Sequence, residues 1–475
     1  MAKRTKIVAT LGPATDRPGV LDGILRAGVD VVRLNFSHGT LADRERRVRE
    51  VRAAGARIGR DIGILGDLQG PKIRVEQFAG GPVELEEGAA FTLDASLPAA
   101  AGNVHTVGVT YKTLPQDVRP GDLLLLNDGA ITLEVERVEG PRVACRVRVG
   151  GTLSDGKGIN RLGGGLSAGA LTDKDREDIR LAAALDLDFL AVSFPRDAAD
   201  MEEARRLLRE AGGRALLVAK IERAEAVERI EEIVRASDIM MVARGDLGVE
   251  IGFAEVPGVQ KNIIRVARAR NKVVITATQM MESMIYEPIP TRAEVSDVAN
   301  AVLDGTDAVM LSGETAVGRH PVKAVEAMAS ACISAEKQRS TSISHHRMDD
   351  VFERTDEAIA MAAMYTANHL DVKAIVALTE SGSTALWMSR IRSGIPIYAF
   401  SRNESTRRRV ALYRGVYPVP FDVLADPVSI GFGAICRTLL EHGLARAGDR
   451  ILMTEGQAAG VAGGTNTMKI LTLEV

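Results

Sequence analysis

Short apolar runs that end in polar or charged residues recur along this chain, and a longer stretch of helical period follows most of them. The runs cover residues 6–10, 31–37, 63–67, 189–194, 216–222, 239–244, 273–278 and 308–312. Between them, residues 224–235 and 257–270 place apolar side chains at helical spacing, the second opening on a proline suited to a first turn. Eight strands alternating with helices predict an α/β chain built on a (β/α)8 TIM barrel. Active sites on that architecture gather at the C-terminal ends of the strands. Here those ends carry Arg33, Asn35, Ser37, Asp67, Lys220, Glu222, Arg244, Asp246 and Thr278, where packing alone would favour Val, Ile or Leu.

The pattern breaks twice. After the third run, residues 75–158 read as strands, with residues 123–126, 131–138 and 142–149 separated by Asn127-Asp128-Gly129 and Glu139-Gly140-Pro141. Such a stretch is too long for a βα loop and predicts a small antiparallel β-barrel domain inserted at the catalytic rim, placed to act as a lid. From residue 341 the chain restarts. Residues 340–346 look like a connector; helices over 355–369, 384–393 and 427–442 then alternate with strands over 374–378, 397–400, 451–454 and 470–475. The expected organisation is a catalytic barrel from 1–70 and 159–340, a lid over 71–158, and a C-terminal α/β domain with a mostly parallel sheet over 341–475.

Composition narrows the function classes. A chain of 475 residues, 46% hydrophobic and 26% charged, is long enough for roughly three domains of about 150 residues. Its formal net charge of -3 gives no general affinity for nucleic acid or an anionic membrane. Cys145, Cys332 and Cys436 lie far apart with no CxxC pair, which suits a reducing compartment. The basic start leads into only three apolar residues, Ile7-Val8-Ala9, and no stretch approaches the ~20 apolar residues of a membrane span. A cytoplasmic protein is expected.

Strand alternation puts residues i and i+2 on one face. Arg33, Asn35 and Ser37 are therefore expected in one polar row, with Lys220 and Glu222, Arg244 and Asp246, and Lys72 and Arg74 as further pairs. A lone Lys-x-Glu is usually a solvated strand end, but four such rows at one rim point to a site. Glu222 and Asp246 offer hard oxygen ligands suited to Mg²⁺. Arg33 and Lys220 are fixed positive charges. Phosphoryl transfer needs this kind of inventory, because it demands positioning and neutralisation of spread negative charge.

Residues 31–39 (VVRLNFSHG), 66–74 (GDLQGPKIR), 219–222 (AKIE), 243–250 (ARGDLGVE) and 276–284 (TATQMMESM) resemble, in order, the signature segments of pyruvate kinases. The resemblance runs on through the insertion to the end of the chain. It implies transfer of a phosphoryl group from phosphoenolpyruvate to ADP, with Lys220 as the catalytic lysine and Arg33 as a phosphoryl contact. Glu222 and Asp246 match the Mg²⁺ ligands, with Mn²⁺ as a possible substitute. Backbone N–H groups across Ala243, Arg244, Gly245 and Asp246, together with Thr278, match the cradle for the substrate carboxylate. Thr278 also matches the face on which the enolate is protonated. Asn35, His38, Arg74 and Lys157 match nucleotide contacts. A homotetramer is implied as well.

One departure concerns K⁺. Most members of the family hold this ion near residues matching Asn35, Ser37 and Asp67, and read Asp-Thr-Lys-Gly-Pro-Glu where this chain reads Asp67-Leu68-Gln69-Gly70-Pro71-Lys72. An ammonium at Lys72 is expected to replace the free cation, so that K⁺ is not required. In the C-terminal domain, Thr379, Ser381, Gly382, Ser383 and Thr384 follow a predicted strand and open a helix, leaving N–H and hydroxyl groups for a phosphate. The resemblance makes this the site of an allosteric effector, a sugar phosphate or AMP. Two other readings remain: a Schiff-base barrel aldolase using Lys220, and a catalytically silent regulatory paralogue.

Overall fold

The computed structural model describes residues 3–342, 351–422, 432–456 and 463–474. Eight parallel strands close into the expected barrel. Around it run Lys6–Thr10, Ala308–Leu311, Val273–Ala277, Ile239–Ala243, Leu216–Ile221, Phe189–Val192, Gly63–Asp67 and Val31–Asn35, which pairs back with the first. Side chains of one parity, among them Val8, Leu65, Phe189, Val218, Met241 and Ile275, fill the interior. Those of the other parity, such as Ile7, Ile64, Leu190 and Val242, pack outward beneath the helices. Because both faces are buried, the strands read as unbroken apolar runs.

Six strands stop one or two residues short of the apolar-to-polar runs, and backbone geometry explains three of these ends. Phe194 and Thr278 take positive φ angles of 56° and 67°, which turns the chain out of the sheet. At residue 244 a helix begins instead, Arg244–Ile251. Arg244 and Asp246 therefore lie in one helical first turn and do not share a strand face, which corrects the alternation reading for that pair. Ser37 likewise sits in the turn after Asn35, donating its N–H to Asn35 Oδ1 at 3.0 Å, so the polar row is Arg33 and Asn35 alone. The helix expected over 224–235 is two, Ala224–Glu228 and Ile230–Ala236, broken at Arg229.

The insertion forms a six-stranded sheet in the order Ile159–Arg161, Leu123–Leu126, Ile131–Glu139, Arg142–Val149, Ala90–Asp94 and Thr106–Gly108. All its pairings are antiparallel except the last, which is parallel. Asn127, Asp128 and Gly129 all have positive φ, so the predicted turn is a tight left-handed one. Glu250 fastens this domain's return to the barrel. It accepts from Ala224 N at 3.0 Å and from Asn160 Nδ2 at 3.3 Å, while its carbonyl takes Gly163 N at 2.8 Å. Burial pushes its carboxyl from 4.5 up to about 7, with the Ala224 N–H and Arg223 opposing. The folded state thus holds this proton more tightly than the unfolded chain. Wild type should lose stability relative to Glu250→Gln as pH rises from 4.5 to about 7, by on the order of 3 kcal/mol in total. Thermal melts of both proteins across that window check this; a difference that stays flat with pH contradicts it.

The C-terminal sheet has the order Val416–Pro420, Ile397–Ser401, Ala374–Leu378, Arg450–Gly456 and Thr465–Thr472, the last strand antiparallel. The helix Thr355–His369 matches expectation, and the one after the first strand is Ser383–Ser389. Two elements went unread, the helix Glu404–Val410 and the edge strand Val416–Pro420. Pro418 and Pro420 mask that strand in sequence, since proline is tolerated only at a sheet edge. The predicted helix over 427–442 is described only as Phe432–Glu441. Residues 427–431 of it, 343–346 of the connector and Val475 of the last strand lie outside the described residues. The barrel interior and the C-terminal residues Met364, Ile375, Met388 and Leu412 form one continuous apolar cluster. Cys145 and Cys332 are buried and Cys436 half-buried, all as free thiols. Among the described residues no helix is long and apolar enough to cross a membrane.

Candidate active site

At the C-terminal rim the buried Asp67 carboxylate is the hub. Arg33 reaches Asp67 Oδ2 through Nε and Nη2, both at 2.6 Å, and Arg33 Nη1 donates to Thr10 Oγ1 at 3.1 Å. Lys220 Nζ lies 3.2 Å from Asp67 Oδ1 and 2.9 Å from Glu222 Oε1, and donates to Ser193 Oγ at 2.7 Å. Ser193 Oγ donates to Leu68 O at 2.7 Å, which leaves its lone pairs free to accept from Lys220. Gly70 is required beside it: with φ of +67°, a Cβ there would come within 2.8 Å of Ser193 Cβ.

Neighbouring charges fix the protonation states. Burial favours a neutral Lys220 amine, but Asp67 and Glu222 outweigh it and hold the ammonium above its usual pKa. Burial likewise opposes ionisation of Asp67, yet Lys220 and Arg33 keep its carboxyl below the usual range. Glu222 goes the other way: burial raises it, Lys220 opposes, and Asp246 with Asp67 push it further up. Glu222 thus has both Asp246 and Asp67 as neighbouring negative charges.

Asp246 Oδ1 accepts from Lys72 Nζ at 2.9 Å, with Asp128 Oδ1 another 3.8 Å from that ammonium. Burial alone would lower Lys72, and Asp246 more than compensates. The structure thus brings Lys72 to Asp246 and not to Asn35, Ser37 and Asp67, the group with which sequence reasoning had placed it. Arg33 and Lys220 are the cations on Asp67.

Arg244 is buried under the site. Its Nη1 and Nη2 clamp Asp297, each at 2.6 Å, and Nη2 donates to Thr278 O at 2.9 Å. It holds the strand end; its charge is committed to Asp297. Thr278, a β-branched residue at φ of +67°, accepts from Gly245 N at 2.8 Å and donates to Ala277 O at 2.7 Å. Strain of this kind costs of order 1–3 kcal/mol and is characteristic of functional positions. Arg74 Nη1 donates to Gly156 O at 2.7 Å, beside Lys157 on the lid's return, and His38 is exposed at the rim. Ser193 and Asp297 were missed as functional groups. Ser193 could have been found as a hydroxyl ending an apolar run; Asp297, mid-helix, carries no local signal.

In the C-terminal domain Gly382 has φ of +87° and gives its N–H to Thr379 Oγ1 at 2.9 Å. Ser381 Oγ lies 3.2 Å from Ser383 Oγ at the surface. Thr384 is buried, 2.7 Å from Thr465 Oγ1, so its hydroxyl faces inward and not the loop.

A barrel whose rim alternates fixed cations with carboxylates beneath an inserted β domain is built to handle phosphoryl groups. Comparison with known proteins makes this specific. The family model described as pyruvate kinase, barrel domain, matches residues 2–325, and that described as pyruvate kinase, alpha/beta domain, matches residues 357–471. The chain is 56% identical to pyruvate kinase II of Salmonella typhimurium and 55% identical to pyruvate kinase of Haemophilus influenzae, with 99% of each chain covered. A crystal structure of a pyruvate kinase from Cryptosporidium parvum superposes with a TM-score of 0.92 at 34% identity, covering 99% of this chain and 96% of that one. The chain belongs to the pyruvate kinase family.

Proposed function

We propose that Lys220 and Arg33, set on opposite oxygens of Asp67, receive the phosphoryl group as this pyruvate kinase moves it from phosphoenolpyruvate to ADP. The phosphorus–oxygen bond of phosphoenolpyruvate breaks while a terminal oxygen of ADP bonds phosphorus. Lys220, held as an ammonium, meets the charge in flight and then the enolate oxygen left behind. The Asp246 N–H at the helix start takes the substrate carboxylate, joined by the Gly245 N–H and the Thr278 hydroxyl once they release their present partners. Thr278 stands where a water-borne proton reaches the enolate carbon to give pyruvate. Asn35, His38, Arg74 and Lys157 face the nucleotide phosphates. The observation that carries this reading is Lys220 Nζ lodged at 3.2 and 2.9 Å between Asp67 and Glu222.

Glu222 and Asp246 fit a Mg²⁺ ion, with Mn²⁺ as an alternative. Two neighbouring hard carboxylates would hold a divalent cation of the kind that keeps several of its waters. When bound, the ion supplies Lewis-acid charge to substrate oxygens. A Schiff-base reading of Lys220 requires a neutral amine, and its carboxylate neighbours oppose that. A silent paralogue would have no use for the strained Thr278.

The protein is further proposed to be a cytoplasmic homotetramer, with Thr379, Ser381, Gly382 and Ser383 receiving an effector phosphate from a sugar phosphate or AMP. Thr384 then shapes that loop from inside. Lys72, already a cation beside Asp246, makes K⁺ unnecessary. The test is pyruvate release with Mg²⁺ in buffer whose only monovalent cation is tetramethylammonium. Full turnover is expected, with added K⁺ changing it by less than about twofold; turnover that appears only with K⁺ discards the Lys72 role and keeps the enzyme.

A further inference from the structure

Between the barrel floor and the C-terminal sheet, five arginines meet with too few carboxylates. Arg4 precedes the first barrel strand, and Arg268 lies in the last turn of the helix Val256–Ala269. Arg390 and Arg392 follow the helix Ser383–Ser389, and Arg414 precedes the edge strand. Three carboxylates lie near them, Asp307, Glu336 and, beside Arg392, Asp304. Asp307 takes both Nη atoms of Arg390, and Glu336 lies 3.6 Å from Arg4 Nε. Arg268 donates to the Gly305 and Arg390 carbonyls at 3.1 and 2.9 Å, and Arg392 to Ser340 O and Leu303 O at 2.8 and 3.1 Å. Carbonyls satisfy these N–H groups without cancelling their charge.

Arg414 lacks even that. It is 6% exposed, and both its Nη atoms are buried with no hydrogen-bond partner among the described residues. A guanidinium cannot shed its proton to escape such a place, and a chain of net charge -3 does not force cations together. Burial first and Arg4 second pull Arg414 down to about 10; burial first and Arg390 second pull Arg268 down to about 9. Asp307 and Glu336 oppose the fall of Arg414, and Asp307 that of Arg268, without cancelling it. Arg4, Arg268 and Arg414 border a small cavity together with Ile391, Ile395 and Ile397. Buried positive charge without a partner is what a small anion pairs with.

We propose that this cavity binds a chloride-sized monovalent anion, with Arg414 as its principal donor, joining the barrel to the C-terminal domain. The ion supplies the acceptor that no described residue gives the Arg414 Nη atoms. Crystals of the full chain grown in sodium bromide should show an anomalous peak within hydrogen-bond distance of the Arg414 guanidinium. In solution, chloride replacing gluconate at constant ionic strength should raise the Tm of wild type to a plateau and leave Arg414→Met unmoved. Absence of bromide from the cavity, or an equal rise in both proteins, overturns the proposal. If Arg414→Met does not fold, the bromide peak decides by itself.

Discussion

Lys220→Ala should abolish practical turnover, with kcat down by about 10³-fold or more while KM for phosphoenolpyruvate moves far less. Loss of one preorganised donor aimed at developing charge is typically a 10²–10³-fold effect, and here a second effect adds to it. Lys220 is the ammonium that opposes burial at Glu222 and keeps its carboxyl from rising further. Without it, Glu222 faces Asp246 and Asp67 with its nearest cation gone, its carboxyl is pushed up further, and it becomes a weaker Mg²⁺ ligand. The variant should therefore need more Mg²⁺ as well as turning over slowly. Steady-state kinetics at several Mg²⁺ concentrations separate the two; a variant within tenfold of wild type would remove Lys220 from the chemistry.

The largest loss of stability is expected far from that rim, at Arg390→Met. Arg390 and Asp307 are each 1% exposed and paired with one another, and Arg390 Nη1 also donates to Lys272 O at 2.7 Å. Breaking a buried, hydrogen-bonded pair from one side costs about 3–5 kcal/mol, even with the Arg268 and Arg414 guanidiniums still near Asp307. Asp307 also takes Val274 N at 2.9 Å, so the damage reaches the barrel strand directly. Arg206→Met breaks a pair that is 56% and 57% exposed, and should cost almost nothing. Denaturant unfolding of both variants checks the contrast, and equal losses would contradict it.

The barrel was legible because parallel strands buried on both faces read as continuous apolar runs, and because their last residues break that rule together. Lys220, Glu222, Asp67 and Arg33 were legible for the same reason: each is a charge where packing wants a hydrocarbon. What stayed hidden depends on backbone geometry beyond a strand's end. Arg244 looked like a partner of Asp246 until the chain turned helical at that residue and sent the guanidinium down to Asp297. Lys72 was read as the cation beside Asn35, Ser37 and Asp67, whereas its ammonium sits on Asp246. Thr384 looked like a loop hydroxyl, yet its position in the helix points it at Thr465. The strand Val416–Pro420 could not be read, because an edge strand tolerates the prolines that argue against one.

The most direct measurement follows phosphorus by NMR in a mixture of phosphoenolpyruvate, ADP and Mg²⁺ with wild type or Lys220→Ala. The account predicts that wild type converts the phosphoenolpyruvate signal into the γ-phosphate of ATP with matching pyruvate, while the variant leaves it in place. Transfer by Lys220→Ala at the wild-type rate, or none by wild type with K⁺ and sugar phosphates present, would contradict it.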